Sequence, residues 1–145
     1  MTSSNDPHDL ERFVESQDPV IEQVKEELLS GRKRTHWMWF VFPQVAGLGK
    51  SRKAQRYAIS SREEAEAYLS HPMLGPRLRE CTEIVNGLEG HTANQIFGSP
   101  DDLKFRSSMT LFDAITDGAT PFRTALKKYY DDQPDQKTLQ FLAEE

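Results

Sequence analysis

A chain of 145 residues, 37% hydrophobic and 10% aromatic, can close one hydrophobic core, and its 28% charged residues match an ordinary globular surface rather than a disordered one. The longest unbroken apolar run, Trp37–Phe42, is far below the roughly 20 residues that span a bilayer. The polar stretch 1–9 holds no signal peptide, and a lone cysteine, Cys81, excludes an internal disulfide, so a soluble protein of the reducing cytoplasm is expected.

The net charge of −5 is unevenly spread. Residues 1–31 carry eight acids and two bases, and residues 63–145 carry fifteen acids and eight bases. Between them, residues 32–62 carry eight bases (Arg32, Lys33, Arg34, Lys50, Arg52, Lys53, Arg56, Arg62) and no acid. Such a window either pairs with the acidic segments around it or forms an anion-attracting face.

In chain order, Asp6-Pro7 and Asp18-Pro19 each set a capping acceptor before a proline suited to the first helical position. They predict a helix to about Gln17 carrying Leu10, Phe13 and Val14, then one carrying Val20, Ile21, Val24, Leu28 and Leu29 that ends at Gly31. The run Trp37–Phe42 has no alternation, and a lone strand would lack a partner. A short helix broken at Pro43 is expected there. Ser51 opens a short helix to Ala58, and Ser61 with Glu64 reads as a capping box for a helix through Leu69. Pro72 starts a helix with Leu74, Leu78, Ile84, Val85 and Leu88, and Thr92–Phe97 is a single turn closed by Gly98. Ser99-Pro100-Asp101-Asp102 combines a cap, a proline and two acids at the positive end of a helix dipole. Thr120-Pro121 and Asp135 open the last two helices. These signals predict an all-α, compact single-domain bundle of about seven or eight short helices, residues 1–6 forming a flexible tail.

Chemistry-bearing motifs are sparse. Gly47-Leu48-Gly49-Lys50-Ser51 suggests a phosphate loop, but Gln44 stands at the first glycine position and the parallel strands are missing. Glycines at positive φ in an ordinary loop explain it better than backbone N–H groups holding an anion. The four histidines lack ligand spacing, so no metal is expected, and no cofactor signature is present. Cys81 sits in an apolar helical pattern and reads as a small core residue. Arg32-Lys33-Arg34-Thr35-His36-Trp37 sets three cations before two tryptophans, an arrangement suited to a ring with phosphates, although Trp37, Trp39, Phe40 and Phe42 read first as core. Ser107-Ser108-Met109-Thr110 inside a predicted helix breaks local preference, which marks a site or a tight helix crossing.

These blocks together resemble an uncharacterised bacterial family, number 1810 among the domains of unknown function. The resemblance is carried by Asp9–Phe13, Gly31–Arg34, His36–Gln44, Gly47–Gly49, Tyr57–Ile59, His71-Pro72, Leu74-Gly75, Lys104 and Ser107–Phe112. It covers nearly the whole chain and implies an all-α single domain, with no activity to carry over. Members are sometimes labelled calpastatin, but that name denotes disordered repeats, which this well-capped sequence does not resemble.

The polar members of that pattern have no evident structural duty, so Arg32, Lys33, His36, Gln44, Lys104 and Ser107 are expected to converge on one concave site. The reading is a module, or an enzyme, that binds a small phosphorylated or nucleotide-like anion between the Arg32–Gln44 and Lys104–Thr110 blocks. The alternative is a protein-interaction domain whose basic strip, residues 32–62, meets an acidic partner. Nucleic acid is disfavoured by the pI of about 5.4 and the lack of a recognised binding module.

Overall fold

The computed structural model describes residues 6–144; of the tail expected at residues 1–6, residues 1–5 lie outside them, and Asp6 is tied into the start of α1. Ten helices follow in order: α1 (Glu11–Gln17), α2 (Ile21–Leu29), α3 (Met38–Val41), α4 (Arg52–Arg56), α5 (Arg62–Ser70), α6 (Leu74–Asn86), α7 (Ala93–Phe97), α8 (Asp101–Ala114), α9 (Pro121–Tyr130) and α10 (Gln136–Ala143). The fold is all-α, as the sequence predicts, but the count exceeds seven or eight. The higher count comes from α3, α4 and α7, each of four or five residues and each expected from the sequence only as a short helix or single turn. Among the described residues the only β pairing is an isolated parallel bridge between Val45 and Ile59.

Several helix starts differ from the expected caps for identifiable reasons. Asp6 takes the N–H groups of Leu10 and Glu11 at 2.7 and 2.9 Å, so it caps α1 across an intervening turn rather than from the adjacent position. Asp18 does not cap α2; its carboxylate accepts from Arg77 at 2.8 Å instead. Pro100, not Ser99, occupies the cap position of α8. Ser51, Ser61, Thr120 and Asp135 cap their helices through the side chain as expected, but Glu64 turns its carboxylate to Ser60 and Arg12 instead of closing a box with Ser61; Thr92 with Gln95 completes a full capping box.

Helix α8 is the axis of the bundle and packs against α5, α7, α9 and α10. Its six consecutive residues Ser107–Phe112 are all buried. Ser107 and Thr110 donate to the carbonyls of Leu103 and Arg106, one turn back, at 3.2 and 2.8 Å. Thr110 also accepts the Asp135 N–H at 2.9 Å, fixing the start of α10. The run lies where α8 is buried on all sides and small side chains allow close crossings; Ser107 and Thr110 satisfy their hydroxyls on the helix itself, whereas the fully buried Ser108 hydroxyl has no hydrogen-bond partner among the described residues.

The aromatic core runs from Trp37 through Phe42, whose ring meets Phe105 edge-on at 4.9 Å, and on to Phe97 and Phe112. Trp37, Phe42, Leu78, Leu111 and Phe112 belong to one buried cluster. Trp39 departs from the expectation that both tryptophans are core: it is only partly buried and lies on the rim of that cluster. Trp37→Ala should cost about 3–5 kcal/mol in urea unfolding because its indole is 1% exposed. A loss under 1 kcal/mol would show that the indole does not anchor the core.

Candidate functional site

The chain reaches the aromatic block through a loop built on one buried acid. Glu27, on the inner face of α2 and 1% exposed, accepts five hydrogen bonds. The donors are the backbone N–H groups of Arg34 and Thr35, the Thr35 hydroxyl at 2.6 Å, the Gln23 amide and the Trp37 indole N–H at 2.9 Å. Burial pushes the Glu27 carboxyl upward, but the hydrogen bonds, led by Thr35 and the Arg34 N–H, outweigh it and hold the group at about 2. With Trp37 fixed, α3 follows; the Phe40 carbonyl accepts from the buried Gln17 amide at 2.6 Å and from the Tyr68 hydroxyl at 3.3 Å.

This scaffold turns Trp39 outward at the mouth of a narrow cleft of about 20 Å³, lined by Met38, Trp39, Gln44, Gly49, Tyr57 and Lys104 among others. The Lys53 ammonium lies 4.9 Å from the Trp39 ring centroid and that of Lys104 lies 5.5 Å from it. Gly47 has φ +94°, and a Cβ on Gly49 would meet that of Ala54 at 2.5 Å, so both glycines have backbone reasons to be there. Ile59 donates to the Gln44 carbonyl at 2.8 Å and Ala46 to the Ile59 carbonyl at 2.9 Å, closing the loop against the far wall. That wall is held by Arg12, which donates to the carbonyls of Arg56 and Ala58 and pairs with the buried Glu64 at 2.7 Å. The Tyr57 and Ser16 hydroxyls share a 2.6 Å hydrogen bond. Burial raises the Tyr57 phenol, but Ser16 and the Arg56 guanidinium outweigh it and leave the phenol below its usual range.

The six residues expected at one site divide between places. Gln44 and Lys104 line the Trp39 cleft. Lys33 joins Lys104 through a shared acid, its ammonium 2.9 Å from one Asp101 oxygen while that of Lys104 is 3.5 Å from the other. Arg32 and Lys33 border a second, more open concavity of about 360 Å³, with Asn94, Gln95 and Gly98. His36 is exposed on the loop and Ser107 is buried with its hydroxyl bonded inside α8; neither lines these concavities. The question of how the basic window is neutralised also divides. Lys33 is ion-paired, whereas Arg32, Arg34, Lys50, Arg52, Lys53 and Arg56 are exposed and have no carboxylate within 4.0 Å among the described residues.

The family model described as "Protein of unknown function (DUF1810)" matches residues 7–142. The chain belongs to the DUF1810 family. Among solved structures, a crystal structure of the conserved hypothetical protein Rv1873 from Mycobacterium tuberculosis is similar. It is 58% identical, with 95% of this chain and 99% of that chain covered and a TM-score of 0.93. No curated protein gives a significant match. Among its described residues this DUF1810 chain forms ten helices, and neither relationship names a ligand or a reaction.

Sequence reading of this DUF1810 chain missed Glu27, Arg12, Glu64, Gln17, Asp101 and Lys53. A signal existed for the first: Glu27 falls three residues after Val24 on the apolar stripe of α2, where a carboxylate is out of place unless it has donors. Because its folded-state value lies below the ordinary 4.5, Glu27 contributes stability that is fully present above about pH 5 and is lost as pH falls toward 2. The stability gap between wild type and Glu27→Gln should therefore be widest above pH 5 and shrink by about 3 kcal/mol on acidification to pH 2. A gap independent of pH in urea titrations would contradict the hydrogen-bonded carboxylate.

Proposed function

We propose that this DUF1810 protein binds a small anion bearing a flat ring, of the phosphorylated or nucleotide-like class, in the Trp39 cleft. One observation carries the reading. Trp39 is a partly exposed indole held on a rigid helical turn, with the Lys53 and Lys104 ammonium groups 4.9 and 5.5 Å from its centre and the Gln44 side chain alongside. An indole offers stacking energy to any planar ring, and the adjacent ammonium groups offer charge to whatever anion the ring carries. Charge on an open surface is largely screened by salt and less so in a recess; this recess is small, about 20 Å³, so the ring would lie over its mouth on Trp39. Tyr57 and Gln44 supply polar atoms that would fix orientation. A cytoplasmic setting accords with this reading: among the described residues no helix is long and apolar enough to cross a membrane, and Cys81 is buried, its thiol pushed up to about 12 by that burial.

The second reading, an acidic protein partner, is favoured by the six exposed bases that have no ion pair among the described residues. It differs in needing a broad face rather than a cleft.

A thermal-shift screen with nucleotides, sugar phosphates and nicotinamide derivatives tests the first reading, since a ligand at 100 times its Kd adds about 2.7 kcal/mol of stability. Trp39→Ala and Lys104→Ala should each weaken the best ligand roughly tenfold or more while the free proteins melt near wild type. Unchanged affinity in both variants, or no stabilising compound at millimolar concentration, would defeat it. Saturable binding of poly-glutamate in the absence of any small ligand would put the acidic-partner reading in its place.

A further inference from the structure

The Trp39 cleft and the Arg32 concavity are joined by a short run of charged contacts. From the Trp39 ring the Lys104 ammonium is 5.5 Å away, Asp101 is 3.5 Å from that, and the Lys33 ammonium is 2.9 Å from the other Asp101 oxygen. Lys33 then borders the second concavity beside Arg32. Along this run Lys53, Lys104, Lys33 and Arg32 face Asp101 alone as their ion-paired acid; Asp102, close by, accepts from Asn94 at 3.3 Å. Two ammonium groups on one carboxylate leave one positive charge uncompensated. The two are not equivalent. Lys33 is 8% exposed, closely paired and also 5.2 Å above the Trp37 ring, whereas Lys104 is 26% exposed and held at the longer distance. Lys104 is thus the cation free to leave Asp101 for an incoming anion, and Lys33 is the fixed post behind it. Arg32, exposed and without a carboxylate partner among the described residues, offers a planar fork of donors at the far end.

We infer that the ligand is elongated: a heteroaromatic ring on Trp39 carries a polyphosphate chain that crosses Lys104 and Lys33 and ends at Arg32, as in a nucleoside di- or triphosphate. This rests on the reading of the Trp39 cleft as a ligand site and extends it by assigning the second concavity to the same molecule. A nucleoside alone meets only the indole, a first phosphate meets Lys104, and later phosphates meet Lys33 and Arg32. Asp101 opposes that chain, so removing its charge strengthens binding of the longer members.

The test is calorimetric titration of the intact protein with the adenosine and uridine mono-, di- and triphosphates and with inorganic pyrophosphate, at one fixed salt concentration. The expected result is a gain of at least tenfold from mono- to triphosphate. Arg32→Ala should abolish most of that gain and leave the monophosphate unchanged; Asp101→Asn should increase it. Because the Arg32 side chain is exposed, its variant should melt with wild type, which the same samples verify. Equal affinity for mono- and triphosphate, or a full gain retained in Arg32→Ala, overturns the elongated ligand while the Trp39 cleft reading stands. Pyrophosphate binding as tightly as the triphosphates overturns the ring's part in it. No binding by any monophosphate or triphosphate overturns both readings.

Discussion

A buried carboxylate with no cation beside it sets the course of the chain between α2 and α3. Taking Glu27 out of water costs several kcal/mol unless its lone pairs are filled, and here neutral donors fill them: two backbone N–H groups, a hydroxyl, an amide and an indole. No ammonium or guanidinium lies within 4.0 Å of it among the described residues. Four of the five donors come from Arg34, Thr35 and Trp37, so the loop cannot change path without stranding the charge. Lys33 and Trp39 lie on either side of that fixed stretch, and both concavities inherit their geometry from it.

Stabilising an acid with dipoles rather than with a base has a second effect. The bases nearest in sequence, Arg32 and Arg34, keep their side chains in solvent instead of turning inward to neutralise Glu27. Elsewhere the molecule does the opposite: Glu64 is matched by Arg12, and Asp18 by Arg77. The core therefore uses cations from outside the basic window for structure. Within the window Lys33 is drawn into the fold by Asp101, and that pair sits at the junction of the two concavities.

Helix starts at Ser61, Thr120 and Asp135 were legible because a side-chain cap is a local event, decided within three residues. Asp18 misled because a tertiary partner, Arg77, outbids the cap, and Ser99 because the chain enters α8 with Pro100 at the cap position instead. The Ser107–Thr110 run was visible as an anomaly, but its explanation needed the neighbours of α8, which no local pattern contains. The candidate site was legible in composition and not in geometry. Lys33, Gln44 and Lys104 lie near one another, yet Lys53 enters through Trp39, and Asp101, read only as a capping acid, links two of the lysines. Whether a tryptophan in an apolar run faces inward cannot be told from the run itself: Trp37 and Trp39 differ only in which side of a single helical turn they occupy.

The six exposed bases between Arg32 and Arg56 belong to a molecule whose net charge is −5. Such a body is an electric dipole as much as an anion. At its isoelectric point near 5.4 the charges sum to zero while the field around it does not vanish. At low ionic strength, where the screening length is tens of ångströms, the basic segment of one molecule can then seek the acidic surface of the next, and salt rather than pH is what separates them. The same asymmetry gives an approaching anion a preferred side from which to arrive, before any contact is made.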